Sequence, residues 1–332
     1  MGGQTVAIQF VRAALEPART RCLDVQGVLE RAGIPAELLG WDAARVTRTQ
    51  AERLIVALWD VTDDELISIG PKPVPRGTFR MVTLGLIHAP DLGTALRRLV
   101  EFSGIGMGVD VDDISDDGRT VRLSFGRGGQ GRGEQLVMAV GMTVGHRLAA
   151  WLIGEQIALT AVDLPGPPPE HAVEFTAVFG VAPRFGAPHA SITFGSRYLD
   201  APLVRSEDEL LDFITHLPGA LLVRQDYNPS TTSRVRRFIE RRVGEAVTVD
   251  DVAKPLNVSA QHLRRLLRTE HTTFRQIKEE VLRDEAIATL VRGTESIDEL
   301  SARLGFSESS AFRRAFRRWT GSPPGAYRIG EQ

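Results

Sequence analysis

The feature that most constrains the fold is one pattern of apolar and turn residues that occurs twice near the C-terminus, in residues 247–274 and again in residues 296–320. In each copy, apolar residues at helical spacing lead to a residue suited to the left-handed backbone conformation, which ends a helix. That residue is Asn257 in the first copy and Gly305 in the second. An apolar residue and a serine follow, and a second helical run begins. The pattern therefore predicts two pairs of short helices, each pair joined by a tight turn.

Capping residues mark where these helices begin. Each first helix opens with a hydroxyl residue followed three positions later by an acidic one, the spacing at which two side chains bond each other's backbone amides. Each second helix opens with a serine. Pro255 interrupts the first copy, because proline lacks a backbone donor and can kink a helix that contains it. The predicted caps are Thr248 with Asp251, Ser259, Ser296 with Glu299, and Ser307.

Arginines cover one face of each second helix. Residues four apart on a helix share a face, so the arginines of the second copy form one cationic side opposite an apolar side. The planar fork of arginine bonds guanine O6 and N7 or a phosphate, and such a helix fits a DNA major groove roughly 12 Å wide. These arginines are Arg264 and Arg265 in the first copy and Arg313, Arg314, Arg317 and Arg318 in the second. The residues predicted to pack are Ala311, Phe312, Ala315, Phe316 and Trp319.

The charge of the chain is unevenly distributed. The whole chain carries a net charge of −2, yet residues 230–332 hold 19 Lys or Arg against 14 Asp or Glu. The preceding residues hold 21 against 28. An excess of positive charge confined to the C-terminal part favours a polyanionic partner for that part alone.

The segment between the two copies, residues 274–291, predicts a single helix. At about 1.5 Å per residue its length is about 27 Å, close to the roughly 34 Å turn of DNA. Two helix pairs separated by it could therefore meet successive major grooves on one side of a duplex.

Residues 305–328 read GFSESSAFRRAFRRWTGSPPGAYR, and with the first copy they cover about the last hundred residues. This stretch resembles the DNA-binding domain of the AraC/XylS family of bacterial transcription regulators. The resemblance implies double-stranded DNA as a partner and base-reading positions at Gln261, Arg264 and Arg265 and at Ser309, Ser310 and Arg314. Arg317 and Arg318 also fit solvated helix charges. The candidate DNA-binding residues are Gln261, His262, Arg264, Arg265, Arg268, Ser309, Ser310, Arg313, Arg314 and Arg317.

The N-terminal part predicts helices and mostly antiparallel strands, which together indicate an α+β domain. Asp117-Gly118 lies between two alternating runs and predicts a hairpin. The predicted helices are 6–39 with breaks at Pro17 and Pro35, 50–67, 91–102, 134–153 and 170–179, and the further strands are 157–164 and 190–195.

Residues 179–203, with their closing LDAPL, resemble the end of the arabinose-binding-type N-terminal domain found in one branch of the same family. This resemblance implies a domain that senses a small-molecule effector, either a metabolite or an apolar, fatty-acid-like compound. It does not imply that arabinose is the ligand. The sequence identifies no effector-binding residues.

The sequence offers no catalytic, cofactor or metal site. Glycines 104, 106 and 108 follow a predicted helix and precede a strand, the reverse of a phosphate-binding loop. Residues 126–133, GRGGQGRG, lack the Gly-Lys-Ser/Thr ending of a P-loop. The start of a calcium loop at Asp113 has Ser124 where the loop needs glutamate, and the seven histidines are scattered. We therefore expect a protein that is not an enzyme.

Cysteine content and hydropathy indicate the cellular compartment of the protein. Cys22 is the only cysteine, so no intrachain disulfide is expected, which fits a reducing environment. No apolar run approaches the eighteen or so residues of a membrane span, and the N-terminus lacks the pattern of a secretory signal. We expect a cytoplasmic protein.

These observations predict an α+β N-terminal sensor domain, residues 1–215, a linker, residues 216–232, and an all-α C-terminal domain, residues 233–332, with two helix-turn-helix motifs joined by a long helix. The predicted function is DNA-binding transcription regulation in response to a small-molecule effector. Two other functions remain open: an architectural DNA-binding protein whose N-terminal domain only mediates assembly, and an enzyme fused to a DNA-binding module. RNA polymerase and a second copy of the chain are further candidate partners.

Overall fold

The computed structural model describes residues 5–68, 73–103, 111–126, 132–169, 172–215, 231–270 and 272–328. Packing divides these residues into two compact units. The C-terminal unit, as we call it, contains residues 5–8, 33–51 and 231–328, and the N-terminal unit contains the described residues of 9–32 and 52–215.

The N-terminal unit combines helices with a five-stranded sheet, and the residues after 230 are helical. The helices are α1 Ile8–Thr20, α2 Val25–Ala32, α3 Arg48–Thr62, α4 Thr78–Leu86, α5 Leu92–Ser103, α6 Arg132–Leu152, α7 Ala172–Phe179, α8 Glu207–Thr215, α9 Thr231–Glu240, α10 Val249–Ala253, α11 Ala260–Thr269, α12 Phe274–Arg292, α13 Ile297–Arg303 and α14 Ser309–Thr320. The strands are β1 Thr5–Ala7, β2 Arg45–Thr47, β3 Val111–Asp116, β4 Thr120–Phe125, β5 Leu159–Leu164, β6 Arg184–Phe185 and β7 Ala190–Gly195.

The sheet of the N-terminal unit has the strand order β3-β4-β7-β5-β6 and is antiparallel except where β5 pairs with β6. Side chains alternate between the two faces of a strand, so Val121, Leu123 and Phe125 share one face. Ile192 and Phe194 lie opposite them on β7 and extend the same buried face. Apolar residues of α6 belong to the same core, so the sheet and α6 together form the centre of this unit.

The core of the C-terminal unit has two parts. Around α10 and α11, Val252, Leu263 and Leu267 are buried with Ile277 of α12 and with Val235 of α9. Around α13 and α14, the buried side chains include Leu300, Phe312, Phe316 and Tyr327. The helix α12 connects the two parts along the chain.

The strands β1 and β2 belong to the C-terminal unit and pair antiparallel, with Val6 opposite Val46. Both are short and rich in β-branched residues, which suit a strand. The domain bounds expected from the sequence, 1–215, 216–232 and 233–332, do not group these strands with the C-terminal residues and remain a prediction. The pairing joins Val6 to Val46, 40 positions further along the chain, and short-range sequence patterns do not indicate it.

Most elements expected from the sequence are confirmed within a few residues. The hairpin at Asp117-Gly118 joins β3 and β4, with Gly118 at a φ of 79°. One expected break is wrong: α1 continues through Pro17 to Thr20. The residues expected to continue helix at the start of the chain form β1 instead, because they pair with β2.

Several predicted features lie wholly or partly outside the described residues. They are the glycines at 104, 106 and 108, most of the glycine-rich segment 126–133, and residues 216–230 of the expected linker. Among the described residues, none of the helices combines the length and apolar character that a membrane crossing requires. Within the same ranges, no three His, Cys, Asp or Glu side chains are grouped as metal ligands.

A buried histidine lies in α6. His146 is 3% exposed, and its Nε2 lies 2.8 Å from the carbonyl oxygen of Ile157. Burial disfavours the charged imidazolium and lowers the pKa of His146 to about 4. The imidazole is therefore neutral at physiological pH, with Nε2 donating to the carbonyl.

We expect the chain to lose stability as the pH falls from about 6.5 to about 4 through the titration of His146. The unfolded histidine has a pKa near 6.5 and the folded one a pKa near 4, so the unfolded state binds more protons in this window. Above a pH of about 6.5, the full contribution of His146 to the stability of the fold is present. Melting temperatures of the wild type, His146→Gln and the exposed control His189→Gln across this range test the effect. A loss in His146→Gln as steep as in the wild type would contradict it.

Candidate nucleic-acid interface

The turn between α10 and α11 is built as the sequence predicts. Thr248 and Asp251 form a reciprocal capping box, and the hydrogen bonds from Thr248 lower the pKa of the Asp251 carboxyl. Pro255 does not kink α10, because the helix ends at Ala253 and the chain continues as a 3-10 turn. Asn257 then takes the left-handed conformation with a φ of 54°. These contacts fix the direction in which α11 leaves the turn.

The start of α11 is fixed by Ser259. Its hydroxyl accepts a hydrogen bond from the backbone amide of His262, 3.1 Å away, which confirms the predicted cap. Leu263 and Leu267 of this helix are fully buried, whereas the neighbouring Arg264 is exposed. The helix therefore presents its polar side to solvent.

The turn between α13 and α14 repeats this arrangement. Ser296 and Glu299 form a second reciprocal capping box, and the amide of Ser296 lowers the pKa of the Glu299 carboxyl. Gly305 has a φ of 82° and fills the place that Asn257 has in the first pair. A left-handed turn thus ends the first helix of both pairs.

The predicted cap of α14 is wrong. The helix begins at Ser309, so Glu308 rather than Ser307 occupies the N-cap position, and no side chain caps it. The backbone carbonyl of Glu308 instead accepts from the amides of Ala311 and Phe312, at 3.0 and 3.2 Å. The helix starts two residues after Ser307, so the Ser307 hydroxyl does not accept the hydrogen bond expected of an N-cap residue.

An aromatic cluster holds α14 in place. Phe312 and Phe316 are fully buried, and the ring of Phe306 lies 5.5 Å from that of Phe312. Tyr327 packs edge-on against Phe316, with ring centroids 5.3 Å apart at 89°. Trp319 contacts Phe306 from the side of the helix and is half-buried. These residues confirm the predicted apolar side of α14.

The candidate DNA-binding residues lie on the opposite sides of α11 and α14. Most are exposed, and His262 and Ser309 are half-buried. The structure therefore groups them on two separate helices, five on each. They are Gln261, His262, Arg264, Arg265 and Arg268 on α11, and Ser309, Ser310, Arg313, Arg314 and Arg317 on α14.

The exposed arginines differ in how they are engaged. The guanidinium of Arg318 lies 3.1 Å from a carboxylate oxygen of Glu279 on α12, and Arg313 lies 3.8 Å from Asp298 on α13. Arg265 lies 3.2 Å from Nδ1 of its helical neighbour His262. Among the described residues, no side-chain ion pair or hydrogen bond is made by Arg264, Arg268, Arg314 or Arg317. These four guanidinium groups are available to an external anion.

The pairing of Arg318 with Glu279 has no signal in the sequence, because the two residues are 39 positions apart and on different helices. Glu279 also accepts from Arg275, four residues before it on α12. Arg318 is therefore engaged by a carboxylate and, within the described residues, Arg317 is not, although the sequence predicts the same solvent-facing side of the helix for both.

Capped helices that expose arginines after a tight turn are the form of a helix-turn-helix DNA-binding regulator. Residues 252–329 match the family model described as a helix-turn-helix domain. Residues 23–203 match the family model described as the arabinose-binding domain of AraC transcription regulator, N-terminal. The chain belongs to the AraC family of transcription regulators.

Proteins similar in sequence to this chain are regulators too. The chain is 30% identical over 244 residues to the ornithine utilization regulator of Pseudomonas aeruginosa, covering 73% of this chain and 72% of that protein. It is 35% identical over 95 residues to the HTH-type transcriptional regulator VqsM of the same organism, covering 29% of each. The crystal structure of the transcriptional regulator CdpR from Pseudomonas aeruginosa is 20% identical over 98% of this chain and 99% of that one, with a TM-score of 0.31.

We expect Arg317→Ala to weaken DNA binding more than Arg318→Ala, although the two arginines are neighbours on α14. Arg317 is not engaged within the described part of the chain, whereas Arg318 is already neutralised by Glu279. Loss of one phosphate contact should make the slope of log K against log salt shallower by about one unit in Arg317→Ala. Binding isotherms at several salt concentrations measure both slopes. Equal changes in the two variants would contradict the assignment.

Proposed function

We propose that both helix pairs act as helix-turn-helix motifs on one DNA duplex, with α11 and α14 as the recognition helices. The observation that carries the proposal is the set of four unengaged arginines, divided between two helices whose apolar sides are buried. A helix held rigidly by its buried side can enter the major groove with its other side. The 19 residues of α12 separate the two pairs along the chain, a length of about 28 Å.

The first recognition helix is proposed to do most of the base reading. Gln261 carries an amide suited to adenine, and Arg264 and Arg265 carry guanidinium groups suited to guanine. All three are exposed on α11. The contact between Arg265 and His262 supports this role, because it restricts the arginine before DNA is bound.

The second recognition helix is proposed to contribute fewer base contacts. Ser309 and Ser310 are short, and the hydroxyl of Ser310 donates to Glu308 at 2.9 Å. Arg314 is then the main long side chain that can reach a base edge, with Arg317 beside it as a phosphate contact. Arg313 remains a candidate that must first leave Asp298.

The N-terminal unit is proposed to bind a small-molecule effector. The support is the family match of residues 23–203. The sequence resemblance described above implies either a metabolite or an apolar, fatty-acid-like compound as the ligand. We further propose that RNA polymerase and a second copy of the chain are partners, as many bacterial regulators bind DNA in pairs. A DNA-binding regulator works where the chromosome is, so the proposal places the protein in the cytoplasm.

We expect Arg265→Ala to relax the base preference at one half of the operator and to cost about 1 to 3 kcal/mol of binding free energy. The physical reason is the loss of a bidentate contact to one base. Duplexes retained from a random library by the wild type and by Arg265→Ala measure the preference, with Arg317→Ala as a control that should weaken all sequences alike. If both variants lose affinity with no change in preference, base reading does not belong to α11.

Effector binding is tested by melting the full-length chain with a panel of small molecules. A ligand that binds the folded state raises the melting temperature, by an amount that grows with its concentration over Kd. The panel includes L-arabinose, L-ornithine and a long-chain fatty acid, the second because a relative is named for ornithine utilization. We expect a ligand with an apolar portion to raise the melting temperature and to change DNA affinity. If a broad metabolite panel changes neither, the N-terminal unit serves assembly alone.

A further inference from the structure

Hydrogen bonds through the strands β1 and β2 link the two helix pairs. The hydroxyl of Thr5 donates to Oδ1 of Asp284, in the middle of α12, at 2.7 Å. The same hydroxyl accepts from Nε of Arg45 at 2.8 Å. On the other side of β2, the backbone amide of Arg45 donates to the hydroxyl of Tyr327 at 3.1 Å. Two strands from the start of the chain thus contact both the connecting helix and the segment after α14.

The Asp284 end of this link is fastened to the first helix pair. The Asp284 side chain is 12% exposed and accepts from Arg283, and Arg236 of α9 lies 3.8 Å from its other oxygen. Arg236 is 9% exposed and also pairs with Glu280 of α12. Val235 of α9 packs in the same core as Leu263 of α11. Asp284 is therefore connected to the first recognition helix through Arg236 and α9.

The Tyr327 end is fastened to the second helix pair. Tyr327 is fully buried and packs edge-on against Phe316 of α14. Trp41 and Ala43, just before β2, lie beside Gly321, which ends α14 in the left-handed conformation. A side chain added at Gly321 would lie 3.7 Å from either residue, which is ordinary contact. The second recognition helix is therefore held from its buried side and at its C-terminal end.

We propose that the strand pair β1–β2 sets the relative position of the two recognition helices and thereby the half-site spacing that the protein prefers. Thr5 and Tyr327 are positioning residues, which act through Asp284 and Phe316 rather than by touching DNA. The inference rests on the proposed function, because a preferred spacing requires that both recognition helices bind one duplex.

The physical reason is that α12, which already contacts the first pair through Ile277 and α14 through Glu279, is joined by a further attachment between the two pairs. A second attachment closes a ring from the first pair through Asp284, Thr5, Arg45 and Tyr327 to the second pair. Closing the ring removes conformational freedom before DNA is bound, and such preorganisation raises affinity for the one spacing that fits. It lowers affinity for other spacings, because they require the ring to open.

The strands also continue directly into the N-terminal unit. The chain passes from β1 into α1 and from β2 into α3, and the first turn of α3 is capped by Thr47 and Gln50. The elements that position the recognition helices are therefore covalent extensions of the unit proposed to bind the effector.

The test is the full-length double variant Thr5→Val/Tyr327→Phe, which removes two hydroxyls and keeps a β-branched side chain and a buried ring. Duplexes retained by the wild type from a random library are remade with the two half-sites one base pair closer or farther apart. We expect the variant to lose about tenfold of the discrimination between spacings, the effect of two net hydrogen bonds of ordinary strength. A general loss of folded protein would lower affinity for all spacings equally.

The matched control is Thr20→Val/Tyr198→Phe, which removes the same groups in the N-terminal unit. It should keep the spacing preference of the wild type. A Thr5→Val/Tyr327→Phe protein that also keeps it overturns this inference and leaves the proposed function standing. A wild type that retains no duplex overturns the proposed function and this inference together.

If the variant does not fold, hydrogen exchange on the wild type tests whether the strand pair β1–β2 is coupled to DNA binding. Coupling is reciprocal, so DNA binding should tighten the strand pair as the strand pair favours DNA binding. We expect the retained duplex to slow exchange at the amides of residues 6–8 and 45–47, with little change in β4 of the N-terminal unit. Exchange in the strands that is unaffected by DNA would overturn the inference.

Discussion

Burial of one apolar side of each recognition helix is the constraint on which the rest of the structure depends. The helices α11 and α14 have 10 and 12 residues, and helices of that length are marginal in water by themselves. Leu263 and Leu267 anchor the first, and Phe312 and Phe316 anchor the second, all without exposed surface. Because these side chains fix the rotation of each helix about its axis, they also determine which arginines face solvent. The cationic surface is thus a consequence of core packing.

Intramolecular carboxylates then divide the arginines into two classes. Glu279 engages Arg318, and Asp298 lies near Arg313, while Arg314 and Arg317 have no such partner within the described residues. An arginine held by a carboxylate must give up that contact before it binds a phosphate, whereas an unengaged one need not. Local charge pairing therefore concentrates DNA affinity on a few residues of an otherwise nearly neutral chain.

Local features of the fold were predictable from the sequence, and long-range contacts were not. Capping boxes at Thr248 and Ser296 and left-handed turns at Asn257 and Gly305 depend on neighbours a few residues away, and all four are confirmed. The Ser307 cap was wrong, because α14 begins at Ser309 and Glu308 takes the N-cap position. The contact of Thr5 with Asp284 spans 279 positions and leaves no periodic signal. For the same reason the candidate DNA-binding residues could be named, but the ion pair of Arg313 with Asp298 could not be predicted.

We propose that two recognition helices of one chain bind one DNA duplex. Hydroxyl-radical footprinting of the full-length protein, on a duplex that it retains from a random library, tests this binding mode. We expect two protected patches on the same side of the duplex, about one helical turn or 10 base pairs apart for each bound chain. Protein concentration is kept where one chain binds each duplex, so that a second copy cannot supply the second patch. A single protected patch under that condition would contradict binding of one duplex by both recognition helices.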